Sequence, residues 1–129
     1  MNDYTTALNA HLARYKAGRL GVSQPGPWKD GKGKIHYYDH ILPEGLDFLN
    51  LLEGIRSEFQ AYLADHADIS LHRYFRHLNS SQAFAFNFFY PYFAAGSASA
   101  TALCRSLGLD LDACADNWCF EEVQYDDTN

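Results

Sequence analysis

The 129-residue chain is 47% hydrophobic, 16% aromatic and 20% charged, and its 16 acidic against 10 basic side chains give a formal net charge of −6. A chain of this size and apolarity folds as one globular domain, here expected to span residues 1 to 129, and the composition excludes a disordered tail. No window approaches the roughly 18 uncharged apolar residues of a membrane span, and residues 1 to 12 lack the basic and apolar regions of a signal peptide, so a cytoplasmic protein without membrane contact is expected.

Tyr4, Leu8, Leu12 and Tyr15 recur at helical spacing and predict an amphipathic helix over residues 3 to 17, ended by Gly18 and Gly21. Residues 22 to 34 then read as turn chemistry, rich in Pro, Gly, Asp and Lys, which predicts an unusually long loop. Trp28 and the run 35 to 38 would pin it to the body. Leu46, Leu49, Leu52, Ile55, Phe59, Tyr62 and Leu63 predict a second helix from about residue 46 to 65. Leu71, Tyr74, Phe75 and Leu78 define a short third one.

Asn79-Ser80-Ser81-Gln82 reads as a helix start, with Gln82 placed to reach back to the Asn79 N–H in a capping box. The helix beyond it carries Phe84, Phe86, Phe88, Phe89, Tyr90, Tyr92 and Phe93. A helix apolar on every face is expected at the centre of the domain, with Asn87 a buried amide in need of partners. Pro91 should bend or end it near Phe89. A further helix carries Leu103 and Leu107 and stops at Gly108, residues 110 to 115 allow another turn, and residues 118 to 125 read as the single predicted strand. Its pairing partner would be the run 35 to 38 or a neighbouring chain. The expected fold class is mainly α, formally α+β with a minor β element: a helical bundle around the aromatic helix and a short C-terminal strand.

Charge is unevenly spread. Residues 1 to 40 hold six basic and three acidic side chains, 41 to 109 four and six, and 110 to 129 none and seven, giving +3, −2 and −7. A surface-wide nucleic-acid binder would carry a basic excess. Any phosphate contact must therefore be local, through the basic residues between Arg14 and Lys34 or through Arg73 and Arg76, although a solvated loop and a solvated helix face are the favoured reading of these charges. Cys104, Cys114 and Cys119 are odd in number, which predicts reduced thiols, and neither their spacing nor that of His36 and His40 fits a zinc site.

The run His72-Arg73-Tyr74-Phe75-Arg76-His77-Leu78-Asn79-Ser80-Ser81-Gln82-Ala83-Phe84-Ala85-Phe86-Asn87-Phe88-Phe89 resembles a signature of restriction-endonuclease-like proteins in the PD-(D/E)XK nuclease superfamily. Tyr38-Asp39-His40-Ile41-Leu42-Pro43 and Trp118-Cys119-Phe120-Glu121 resemble the same group in the same order, so the likeness covers roughly residues 28 to 129. The resemblance implies that Gln82, Asn87 and Glu121 lie near what would be the active cleft. Arg73, Arg76 and His77 join them as candidate ligand or partner contacts. Gln82 as a helix cap, Asn87 as a backbone partner and the basic residues as a solvent-facing turn are the structural alternatives.

In that family the strand after Phe-Glu leads to an Asp and then to a Glu-x-Lys strand, which hold Mg²⁺ and activate water. Here Asp126-Asp127-Thr128-Asn129 is followed by neither, and no lysine occurs after Lys34. The resemblance therefore implies no catalytic or metal-ligating residues and no cofactor, with Mg²⁺ expected only if another chain completes the site. Two functions follow as expectations. One is a truncated or degenerate nuclease-like protein that binds DNA or another protein in a defence setting. The other is a small acidic, phage-type inhibitor that occupies the basic surface of a nucleic-acid-binding partner.

Overall fold

The computed structural model describes residues 2–109, Trp118 and Phe120. Helix α1 spans Asp3–Arg19 and is capped by Asn2, whose side chain accepts from the Thr5 N–H at 2.7 Å. The expected Tyr4 to Tyr15 stripe is not the packed face: Tyr4 is 74% exposed, whereas Lys16 is only 1% exposed. The cause is a polar anchor beside the stripe. The Lys16 ammonium donates to the carbonyls of Gln24 at 2.6 Å and Ile41 at 3.1 Å, which turns that side of the helix inward.

The expected long loop is a β-hairpin. Strands β1 (Gly26–Lys29) and β2 (Ile35–Tyr38) pair antiparallel, with Trp28 opposite His36 and Gly26 opposite Tyr38. Asp30 closes the connection, because its Oδ1 accepts from the N–H groups of Lys32 and Lys34, both at 2.9 Å, and Gly33 takes φ +83°. The run 35 to 38 thus finds its partner in the residues just before it. Gly26 is required there: a Cβ would lie 2.6 Å from the Ile41 carbonyl carbon.

The predicted helix from 46 to 65 is broken in two, a 3₁₀ turn at Asp47–Asn50 and α2 at Arg56–Asp65. Between them Leu51 is extended, and the Arg56 side chain satisfies the freed carbonyls of Phe48 and Leu51 at 3.0 and 2.9 Å. The short third helix is replaced by turns. There the backbone makes local turn bonds and also pairs across the molecule, with the Leu42 N–H donating to Arg76 O, the Leu78 N–H to His40 O, and a bridge between Ile41 and His77.

Helix α3 (Ser81–Ala94) is capped by Ser80, which accepts from the Ala83 N–H at 3.2 Å, and it continues through Pro91 instead of ending near Phe89. Helix α4 (Ser97–Ser106) packs beside it and is closed by Gly108 in the left-handed region, φ +76°.

The core joins α2, α3 and the segments before each: Leu51, Ile55, Phe59, Phe75, Ala83, Phe86 and Tyr90. Phe59 is its hub, with ring centroids 4.5 Å from Phe86 and 4.9 Å from Tyr90. Trp118 stacks on Tyr62 at 5.3 Å and Phe120 meets Phe86 edge-on at 4.9 Å. Edge and offset pairs of this kind each add roughly 0.5 to 1.5 kcal/mol beyond area burial. The fold class is mainly α with a minor β element, as the sequence predicts, but the described β structure is the early hairpin. The C-terminal strand and the turn at 110 to 115 lie outside the described residues, apart from Trp118 and Phe120. Among the described residues no helix is long and apolar enough to cross a membrane.

Candidate functional site

The aromatic helix is not buried on every face. Ala83, Phe86 and Tyr90, at spacings of three and four, face the core, while Phe84, Phe88 and Tyr92 on the opposite side are 64%, 38% and 40% exposed. The latter recur at intervals of four and touch in sequence: Phe84 stacks on Phe88 at 5.6 Å, and Phe88 lies 5.9 Å from Tyr92. They form an aromatic ridge two turns long. From Asn79 to Cys104 no side chain carries a formal charge. Aromatic ridges left in water without charged flanks are costly in a monomer and frequent at protein interfaces.

The candidates on and before α3 hold backbone in place. Gln82 does not cap its own helix; its Oε1 accepts from the His72 N–H at 2.7 Å and its Nε2 donates to Ser70 O at 3.0 Å, stapling the preceding loop. Asn87 accepts from the Leu52 N–H and donates to Asn50 O, both at 2.9 Å. Arg73 lies over the Tyr74 ring at 4.6 Å, and Arg76 reaches Leu42 O at 3.4 Å. Glu121 lies outside the described residues. The described candidates are each engaged with nearby backbone or a neighbouring ring.

Of these candidates His77 lines a solvent-open pocket between α1 and the hairpin, a space of about 470 Å³. One wall is a stripe of α1, where Thr6, Asn9, Ala10 and Ala13 recur at spacings of three, one and three, the two alanines making the room. The other is aromatic, formed by Trp28 and Tyr38 of the hairpin with His40 and His77. The rings follow one another, with centroids 6.2 Å apart for Trp28 and Tyr38, 5.6 Å for Tyr38 and His40, and 6.3 Å for His40 and His77. The Asn9 Oδ1 is buried and has no hydrogen-bond partner among the described residues.

Electrostatically the cavity is quiet. Burial holds the His40 and His77 imidazoles below the usual histidine range, helped by the Lys16 ammonium for His40 and by His40 and Arg76 for His77. Burial also pushes the Lys16 ammonium down, with Asp39 opposing. Away from the cavity the His36 ring holds the Asp30 carboxyl below the usual carboxylate range through a 2.7 Å bond. Among the described residues no three His, Cys, Asp or Glu side chains gather as a metal site, and Cys104 is a half-buried thiol.

Sequence reasoning placed candidate contacts on the 72 to 89 run and at Glu121, and did not single out Asn9, Trp28, Tyr38 and His40 as neighbours in a pocket. The available signal was Ala10 and Ala13 falling on the same face of α1 as Thr6 and Asn9, together with aromatic residues embedded in turn-forming sequence.

The family model described as restriction endonuclease associating with ARP matches residues 9–127. The chain belongs to that family. No curated protein and no solved structure matches it.

Proposed function

We propose that this chain is a protein-binding module of a restriction-type nuclease system, to which it contributes a docking surface. The observation that carries the reading is the ridge of Phe84, Phe88 and Tyr92 on a helix devoid of charge. A nucleic-acid surface would need lysine or arginine there, because phosphate neutralisation drives such binding. A protein partner needs aromatic anchors and few charges at the interface centre. The family description names an association with ARP, and that component is the occupant proposed.

The test is titration of the purified chain with the ARP of its own system by calorimetry, at about 50 and 500 mM salt. Apolar docking predicts little change in affinity across that range. Phe88→Ala and Tyr92→Ala are expected to weaken it by about tenfold or more, as anchor truncations do, without altering the melting curve. Affinity that collapses with salt while ignoring both variants would favour the acidic-inhibitor reading, in which residues 110 to 129 supply the attraction.

A further inference from the structure

We propose that the solvent-open pocket between α1 and the hairpin binds a methylated ammonium group, held by the rings of Trp28, Tyr38, His40 and His77 and by the carboxylate of Asp39. This goes beyond docking on the α3 ridge and depends on different residues. The shape of the aromatic wall selects a compact ligand over a flat one. Trp28 and Tyr38 are inclined at 55°, Tyr38 and His40 at 41°, and His40 and His77 at 82°, with successive centroids 6.2, 5.6 and 6.3 Å apart. Rings turned in this way offer no parallel faces for a planar ligand to slide between. They present several faces to one rounded group, the arrangement that suits an organic cation.

Charge selects the sign. No lysine or arginine lines the pocket, and Asp39 is its single formally charged residue. Among the described residues the Asp39 carboxylate forms no ion pair, the 2.7 Å contact of His36 with Asp30 being the one present. Its field nevertheless acts at the pocket, favouring the charged forms of the His40 imidazole and the Lys16 ammonium. Burial outweighs that effect and keeps the His40 and His77 imidazoles neutral near pH 7, so neither brings a competing positive charge. The Lys16 ammonium is not part of the lining and is engaged by the carbonyls of Gln24 and Ile41.

Methylation follows from the scarcity of acceptors. The lining is mainly apolar, and a primary ammonium entering it would bring three N–H donors to a wall made chiefly of ring faces. A quaternary ammonium carries the same charge without a donor, under methyl groups that pack against rings. At about 470 Å³ the pocket has room for such a head together with part of the chain that bears it, and its open side lets the rest of that chain leave.

Amide chemical-shift titration of the full chain with choline, with its neutral carbon isostere dimethylbutanol and with ethanolamine tests this. Choline is expected to bind saturably, and the other two about tenfold more weakly. Asp39→Asn, at an exposed position, is expected to keep the melting curve of the parent, to weaken choline by about threefold and to leave dimethylbutanol unchanged. Trp28→Leu retains apolar surface without a ring, and is expected to weaken choline by about fivefold with the same indifference to dimethylbutanol. A glycine-flanked peptide bearing one trimethyllysine separates the sources of the group. Tighter binding than choline would identify a modified lysine of a partner protein, and equal or weaker binding a free small molecule; either supports the site. No saturable choline binding up to about 5 mM, dimethylbutanol or ethanolamine binding as tightly as choline, or parent-like choline affinity in either variant would overturn it. None of these readouts involves the α3 ridge, so docking and cation binding stand or fall separately.

Discussion

Asn87 donates its side-chain amide to the backbone carbonyl of Asn50 at 2.9 Å, and Asn50 in turn donates its own side chain to the carbonyls of Phe75 and His77, both at 2.8 Å. Two amides thus tie α3, the 3₁₀ turn and the 75 to 77 segment into one relay. Asn87→Asp keeps an acceptor for the Leu52 N–H but faces the Asn50 carbonyl with a second acceptor. Asn87 is half-buried, not buried as its apolar neighbours suggest, so the cost should be on the order of 1 kcal/mol, that of an ordinary hydrogen bond. Urea denaturation measures it, and a variant as stable as the parent would show the relay to be idle.

Lys16 is the second polar anchor. Lys16→Met retains most of the apolar stem but leaves the carbonyls of Gln24 and Ile41 without their donor. The expected loss is about 1.5 to 3 kcal/mol, the range for hydrogen bonds to a charged group. Lys16→Arg should not restore it, since a planar fork cannot replace a compact ammonium in a fully packed position. Thermal melts of the three proteins decide the matter.

The two faces of α3 separate stability from association. Phe86, at the core, should cost about 3 to 5 kcal/mol on truncation to Ala through lost burial and a residual cavity. Phe88, on the ridge, should cost under about 1 kcal/mol, as exposed positions do. Equal losses in chemical denaturation would mean that the ridge is packed and not available to a partner.

Protonation of His40 and His77 gives a pH dependence of definite sign. Their folded pKa values are lowered, chiefly by burial, so the unfolded chain binds more protons and stability rises with pH. Their contribution is complete above the ordinary histidine value of about 6.5 and is lost as pH falls through the depressed folded values. Melting temperatures taken between about pH 7.5 and 5 should fall, and they should fall less steeply in a His40→Gln, His77→Gln double variant. Parallel slopes would contradict the assignment.

Gly26→Ala offers a sharper test of the hairpin's seat. The added methyl would meet the backbone at Ile41 and Leu42, where no side chain can swing aside. Overpacking of that kind typically costs about 1 to 3 kcal/mol. The variant should also change the separation between hairpin and helix that shapes the cavity, detectable as altered Trp28 fluorescence.

Much of this architecture was legible in the residues. Periodicity located α1, α3 and α4, the Asn79 to Gln82 signal marked a helix start within a residue of the true cap, and the need of Asn87 for partners was plain from its apolar neighbours. What the sequence hid was long-range pairing. The helix pattern at 46 to 65 breaks because Arg56 and Asn87 satisfy backbone groups that a continuous helix would satisfy itself. The pattern at 71 to 78 yields to hydrogen bonds with residues 40 to 42. Counting aromatics on α3 revealed their number but not which partner each face would meet. The cavity was invisible for the same reason, as its walls come from segments that only tertiary contact brings together.

The carbonyls held by Lys16 lie just before β1 and just after β2, so one ammonium clasps both ends of the hairpin to α1. A fluctuation that lifts the hairpin must break that clasp, and one that frays α1 past its fourth turn must do the same. In native-state hydrogen exchange the amides of both elements should consequently open as a single cooperative unit, with a common free energy and a common response to denaturant.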